Sequence, residues 1–141
     1  MHLIISVCLP RDRASIPVTR HIIRDALGEV GVSVECTQDV LIAQSEACTN
    51  VIEHSGPGDE YEVRVDIDGD KCVLSVIDTG HGFDSTAVAL NPDEDSERGR
   101  GIQLMRALVD DVHFVSDPDS GTVVHLEKAL HFRDDAVFRG A

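Results

Sequence analysis

Apolar and polar positions recur along this chain in two periods. Leu3, Ile4, Ile5, Val7 and Leu9 crowd into a short apolar run that ends at Pro10, the pattern of a strand. Over residues 14–30 the period lengthens to that of a helix. Ile16, Ile22, Ile23, Ala26, Leu27 and Val30 share one face, with Arg20, His21, Arg24 and Asp25 on or beside the other. Gly28 and Gly31 mark its end. A second helix is predicted from Cys36 or Thr37 to His54, stopped by Ser55-Gly56-Pro57-Gly58. Residues 61–67 and 71–77 then alternate with period two around Asp68-Gly69, the dipeptide of a tight hairpin. A third helix is predicted to begin near Gly101 and to carry Ile102, Leu104, Met105 and Leu108. Two closing strands follow at 112–115 and 122–126, and from Ala129 onward no periodicity is evident.

Two neighbouring strands joined by a tight hairpin exclude a regularly alternating parallel fold. The order predicts a two-layer α/β sandwich, with helices on one face of a mixed, mainly antiparallel sheet. A length of 141 residues suits one domain with a real core, read as residues 1–128 followed by a tail over 129–141. Residues 84–98, with Asn91-Pro92-Asp93-Glu94-Asp95 among them, are too polar and too long for a turn, which suggests a lid.

Charge narrows the partners. Twelve basic against 26 acidic residues give a net charge of −14, which argues against nucleic acid as a direct ligand because phosphate contacts need clustered Lys and Arg. An acidic surface suits a basic protein partner or simply solubility. No run approaches a membrane span and residues 1–10 lack a basic lead and cleavage site, so a soluble, cytoplasmic protein is expected, with no membrane partner. The four cysteines form no CxxC pair, and the seven histidines form no metal-ligand spacing.

Three short stretches carry candidate chemistry. On the second helix Glu46 and Asn50 stand one turn apart on one stripe, with His54 further round, while Leu41, Ser45, Cys48 and Ile52 offer an apolar surface. A carboxylate and a carboxamide together suit a metal or proton-transfer site, and a solvated polar face has the same pattern. Asp78-Thr79-Gly80-His81-Gly82 lies where an apolar strand opens into a loop, its glycines free to approach a ligand or turn. Arg98-Gly99-Arg100-Gly101 opens the third helix, where free N–H groups and the dipole favour phosphate. It is neither a P-loop nor a dinucleotide fingerprint. Asp66-Ile67-Asp68-Gly69-Asp70 lacks the later ligands of a calcium loop, so the hairpin reading stands.

Taken in order, Glu46-x-x-x-Asn50, Asp78-x-Gly80-x-Gly82, Gly99-x-Gly101 and Gly121-Thr122 resemble the GHKL (histidine kinase-like) ATPase superfamily over about residues 10–128, and most closely its anti-sigma-factor serine-protein kinase branch. The resemblance implies the Bergerat-type ATP-binding sandwich with ATP and Mg²⁺ as cofactors. It implies Asn50 as the Mg²⁺ ligand, Glu46 as general base, and Asp78 as acceptor for the adenine amino group with Thr122 in support. Gly80 and Gly82 would shape the adenine loop, with Arg98, Gly99, Arg100 and Gly101 along the triphosphate and residues 84–98 as the lid. The implied activity is ATP-dependent phosphorylation of a STAS-type anti-anti-sigma factor on Ser or Thr, together with sequestration of a sigma factor. A nucleotide-binding regulatory module without kinase activity is the alternative, and a homodimer is compatible with either. Arg20 and Arg24 are partner-contact candidates. Ile102 and Ser55 depart from the family's usual Leu and Ala, and the stretch before Glu46 is too short for a histidine kinase's phosphoacceptor helices.

Overall fold

A computed structural model of the chain describes residues 1–54, 59–78, 97–117 and 121–137, with side chains described at all of these except 54, 97–99, 116–117 and 121–122. The elements run β1 (His2–Pro10), α1 (Ser15–Val30), α2 (Val34–His54), β2 (Glu60–Asp68), β3 (Lys71–Asp78), α3 (Glu97–Leu108), β4 (Asp111–Asp117) and β5 (Gly121–Ala129). The strands form one five-stranded sheet in the order β1-β2-β3-β5-β4, and every pairing is antiparallel. The expected α/β sandwich is borne out, without a parallel pair among the described residues.

Alternation along the strands sets which face is covered. Tyr61, Val63, Val65 and Ile67 of β2, with Cys72, Leu74 and Val76 of β3, are buried against the helices. Glu62, Arg64 and Asp66 occupy the other face, as period two requires. The β2–β3 hairpin is there, but its two-residue turn is Gly69-Asp70, one position later than the Asp68-Gly69 expectation, because Asp68 still pairs with Lys71. Gly69 takes φ +61°, a left-handed conformation that glycine adopts without strain.

The junction of the first two helices is built from local rules. Gly31 takes φ +92°, its N–H bonds to the Gly28 carbonyl, and the Val32 N–H reaches the Leu27 carbonyl, so α1 ends in a Schellman motif. Ser33 then caps α2, its Oγ accepting the Cys36 N–H at 3.3 Å. This cap starts α2 two residues ahead of the Cys36 expectation.

The stretch from Ala129 is organised after all. Phe132 bridges Val32, and the Arg133 N–H bonds to the Gly31 carbonyl. The Arg133 guanidinium donates to the Val32 and Gly28 carbonyls, both at 3.2 Å. These bonds tie the C-terminal stretch to the α1–α2 junction, adding a second donor to the Gly28 carbonyl and one to the Val32 carbonyl between the helices. Arg133→Ala is expected to lower unfolding stability by about 1–2 kcal/mol, from two lost bonds, read as a shifted denaturation midpoint at unchanged slope.

Candidate active site

Helix α2 is the centre of the helical layer, packed against α1, α3, β3 and β5. Its residues are therefore covered on most sides. Val40, Ala43, Gln44, Ala47, Cys48 and Val51 are buried, whereas Ser45 and Ile52 of the expected packing face are only half-buried. Asn50 is 3% exposed, so the solvated-face reading of its stripe is overturned at this position. Its Nδ2 has no hydrogen-bond partner among the described residues. An unsatisfied buried carboxamide costs about 1–3 kcal/mol, and its two ends exchange by a flip of the amide. Asn50 is thus a buried polar residue whose Nδ2 is left without a partner among the described residues.

One turn earlier, Glu46 lies against α3. A Cβ built on Gly101 would come within 2.6 Å of Glu46 Oε2. Glycine at this position lets α3 approach the carboxylate while Ile102 and Met105, both buried, fix the helix in the core. Because α3 begins at Glu97, four residues ahead of the sequence expectation, Gly101 sits within the helix. The free N–H groups of the helix start belong to the preceding turn, around residues 97–99. Gly101 contributes close approach, therefore, and not a free N–H at the helix start. Arg100 is exposed on α3.

Asp78 closes β3 and is 0% exposed. Arg11, just past the end of β1, brings Nη1 to 3.7 Å from Asp78 Oδ2. Its Nη2 donates to the carbonyl oxygens of Val51 and Ile52, each at 3.1 Å. Those carbonyls lie in the last turn of α2, where a cation also meets the negative end of the helix dipole. Thr122 stands directly opposite Asp78 in the β3–β5 register. The chain thus gathers Asp78, Arg11 and the end of α2 at one place, and Glu46 and Gly101 at another, with Asn50 between them on α2. The expected roles of Gly80 and Gly82 and residues 84–96 of the expected 84–98 lid lie outside the described residues, as do the side chains of Arg98 and Thr122, while residues 97 and 98 at the end of that lid belong to α3.

Sequence reasoning missed Arg11. A lone arginine after Pro10 carries no local signal, and only the antiparallel pairing of β1 with β2 brings it to Asp78. It also missed a buried polar cluster beneath α1 and α2. Ser15 Oγ lies 2.5 Å from Tyr61 Oη, and Gln44 Nε2 donates to Cys48 Sγ at 3.2 Å. Burial pushes the Cys48 thiol up to about 11 and the Tyr61 hydroxyl up to about 12. Both stay protonated at neutral pH, which suits packing and not nucleophilic attack. All four cysteines are free.

Among the described residues no group of three or more His, Cys, Asp or Glu could hold a metal. That composition still fits Mg²⁺, which takes oxygen ligands largely from substrate phosphates and water and needs as little as one carboxamide. A surface cleft of about 280 Å³ between α1 and α2 leads to Glu46, flanked by Arg20, Arg24, Gln38, Ile42 and Ser45. No helix among the described residues is long and apolar enough to cross a membrane.

A single antiparallel sheet with its helices on one face is the sandwich of the histidine kinase-like ATP-binding proteins. The chain belongs to that family: the family model described as a histidine kinase-like ATPase domain matches residues 9–128. The resemblance drawn from motif order is thereby borne out. The chain is 35% identical over 116 residues to the serine-protein kinase RsbW of Bacillus licheniformis, covering 73% of this chain and 71% of that one. It is 30% identical over 139 residues to RsbW of Bacillus velezensis, covering 90% and 86%. It is also 28% identical over 123 residues to an anti-sigma F factor of Thermoanaerobacter sp. (strain X514), covering 79% and 82%.

Among solved structures, the RsbU and RsbW domains of a Mycobacterium tuberculosis protein superpose with TM-score 0.70 at 23% identity, over 91% of this chain and 32% of that one. This chain therefore spans about a third of that solved two-domain chain. The histidine kinase domain of a blue-light-activated kinase from Erythrobacter litoralis gives TM-score 0.56 at 18% identity, over 86% of this chain and 62% of that one. These two likenesses establish the fold, and the family assignment brings ATP with it.

Proposed function

We propose that this protein is an ATP-dependent serine-protein kinase that phosphorylates a STAS-type anti-anti-sigma factor and, in the opposite state of the switch, sequesters a sigma factor. The observation that carries the reading is the close packing of Gly101 against the Glu46 carboxylate, one turn from Asn50, whose buried Nδ2 has no partner among the described residues. A protein that only bound nucleotide would have little use for a carboxylate in that position. The relatives named serine-protein kinase and anti-sigma factor support the same assignment.

In this reading residues 1–128 form the ATP-binding domain, and the chain through Arg133 packs onto it at the junction of α1 and α2. Glu46 takes the proton from the attacking serine hydroxyl as its oxygen bonds to the γ-phosphorus, and the bond to ADP breaks. Asn50 holds Mg²⁺, which when bound neutralises charge on the phosphates. Asp78, with Thr122 across the ladder, accepts the adenine amino group, and Gly80 and Gly82 shape the loop beside it. Arg98, Gly99 and Arg100 line the triphosphate at the start of α3, and Gly101 keeps that helix close to Glu46. The cleft beside Arg20 and Arg24 leads a partner's serine to Glu46. Phosphate added to the antagonist repels it from a chain of net charge −14, leaving the surface to a basic region of the sigma factor.

The test is transfer of labelled γ-phosphate to a purified STAS-domain antagonist. A labelled serine supports the kinase, whereas tight ATP binding without label leaves a regulatory module that acts by binding alone. Asp78→Asn is expected to weaken ATP binding by about 1.5 kcal/mol, the lower end for a hydrogen bond to a charged group, because asparagine keeps one acceptor oxygen. Titration calorimetry reads it, and equal affinity would move adenine elsewhere.

A further inference from the structure

We infer that Arg11 is a positioning residue for adenine recognition, holding the Asp78 carboxylate to the C-terminal turn of the helix that carries Glu46 and Asn50. The inference rests on the reading of Asp78 as the adenine acceptor. Three observations lead to it. The guanidinium is enclosed, with its side chain 10% exposed against 0% for Asp78, so their charges face each other out of bulk water. Its two ends are used differently: Nη1 faces the carboxylate at 3.7 Å, and Nη2 is shared between the Val51 and Ile52 carbonyls at 3.1 Å each. Arg11 itself leaves β1 next to β2, its N–H bonded to the Asp59 carbonyl at 2.9 Å, so its own backbone is anchored.

A planar guanidinium gripped at one end by helix carbonyls has little freedom at the other. It therefore fixes where the carboxylate sits, and any displacement of Asp78 is passed to the last turn of α2. Adenine contact and the placement of Asn50, one residue before Val51, are mechanically joined through the Arg11 side chain. Lysine could restore the charge but not the two-ended grip, because an ammonium is a compact point charge on a flexible stem.

The experiment compares ATP with purine riboside triphosphate, which lacks the 6-amino group, in four proteins: the unaltered chain, Arg11→Met, Asp78→Asn and the double variant. Arg11→Lys is measured beside them, and thermal melting checks each fold. Arg11→Met is expected to weaken ATP about tenfold while leaving the purine analogue nearly unchanged, and to add little once Asp78 is already asparagine. Arg11→Lys is expected to lose part of the same preference. Equal weakening of both nucleotides, or an undiminished effect in the Asp78→Asn background, overturns the inference and leaves Arg11 a structural residue. Should Arg11→Met fail to fold, Arg11→Lys decides: a full preference for ATP overturns the inference. If Asp78→Asn alone keeps the full preference, the adenine reading falls first and the positioning role with it. A preference lost in Asp78→Asn but kept in Arg11→Met removes the positioning role alone.

Discussion

Glu46→Gln is expected to lower phosphotransfer to the antagonist by about 10²–10⁴-fold, the usual worth of a positioned general base. The substitution keeps the shape of the side chain against Gly101, so α2 and α3 should pack as before. What it removes is the capacity to accept a proton at the moment the serine oxygen bonds to phosphorus. ATP affinity should change by no more than about twofold, because loss of a group that acts only in the transition state lowers the rate and not the ground-state binding. Single-turnover transfer of labelled phosphate, with calorimetry for binding, separates the two quantities. Turnover at the unaltered rate would take Glu46 out of the reaction, and a parallel loss of ATP binding would recast it as a ligand-binding group.

The motif order made the family legible, and the hydrophobic pattern made the sheet legible, because both are local. The glycine between two alternating runs announces the hairpin, though its turn falls at Gly69-Asp70, one residue on from Asp68-Gly69, and alternation in residues 61–67 announces which side is covered. What could not be read locally was set by packing. On its segment alone Asn50 reads as a solvated polar position, and it is buried in the structure, where α2 packs between α1 and α3 over the sheet. Helix α3 starts earlier than its apolar residues suggest. Its first turn, Glu97-Arg98-Gly99-Arg100, is polar and glycine-containing, so burial of Ile102 and Met105 against α2 supports a segment that propensity alone would leave out. The Arg133 clamp and the Arg11 contacts have the same character. Each joins segments far apart in sequence, Arg133 to Gly28 and Arg11 to Asp78, through single side chains that no periodicity flags.

That contrast between local signal and packing makes Gly101→Ala an informative substitution, because the two predict opposite signs for it. Within a helix, alanine is favoured over glycine by about 1 kcal/mol, so the variant should be as stable as the unaltered chain or slightly more so. The new methyl group meets Glu46 Oε2 at 2.6 Å, too close to stay. Its neighbour there is the tip of a flexible side chain and not backbone, so Glu46 can swing aside at little cost to the fold. The cost appears in the reaction: a displacement of about 1 Å at a reacting group can lower the rate on the order of 10²-fold. Gly101→Ala should therefore melt no lower than the unaltered protein while transferring phosphate about a hundredfold more slowly. Reduced melting temperature with proportionate loss of activity would show that the glycine serves packing alone. Full activity would show that Glu46 works from another rotamer, away from α3.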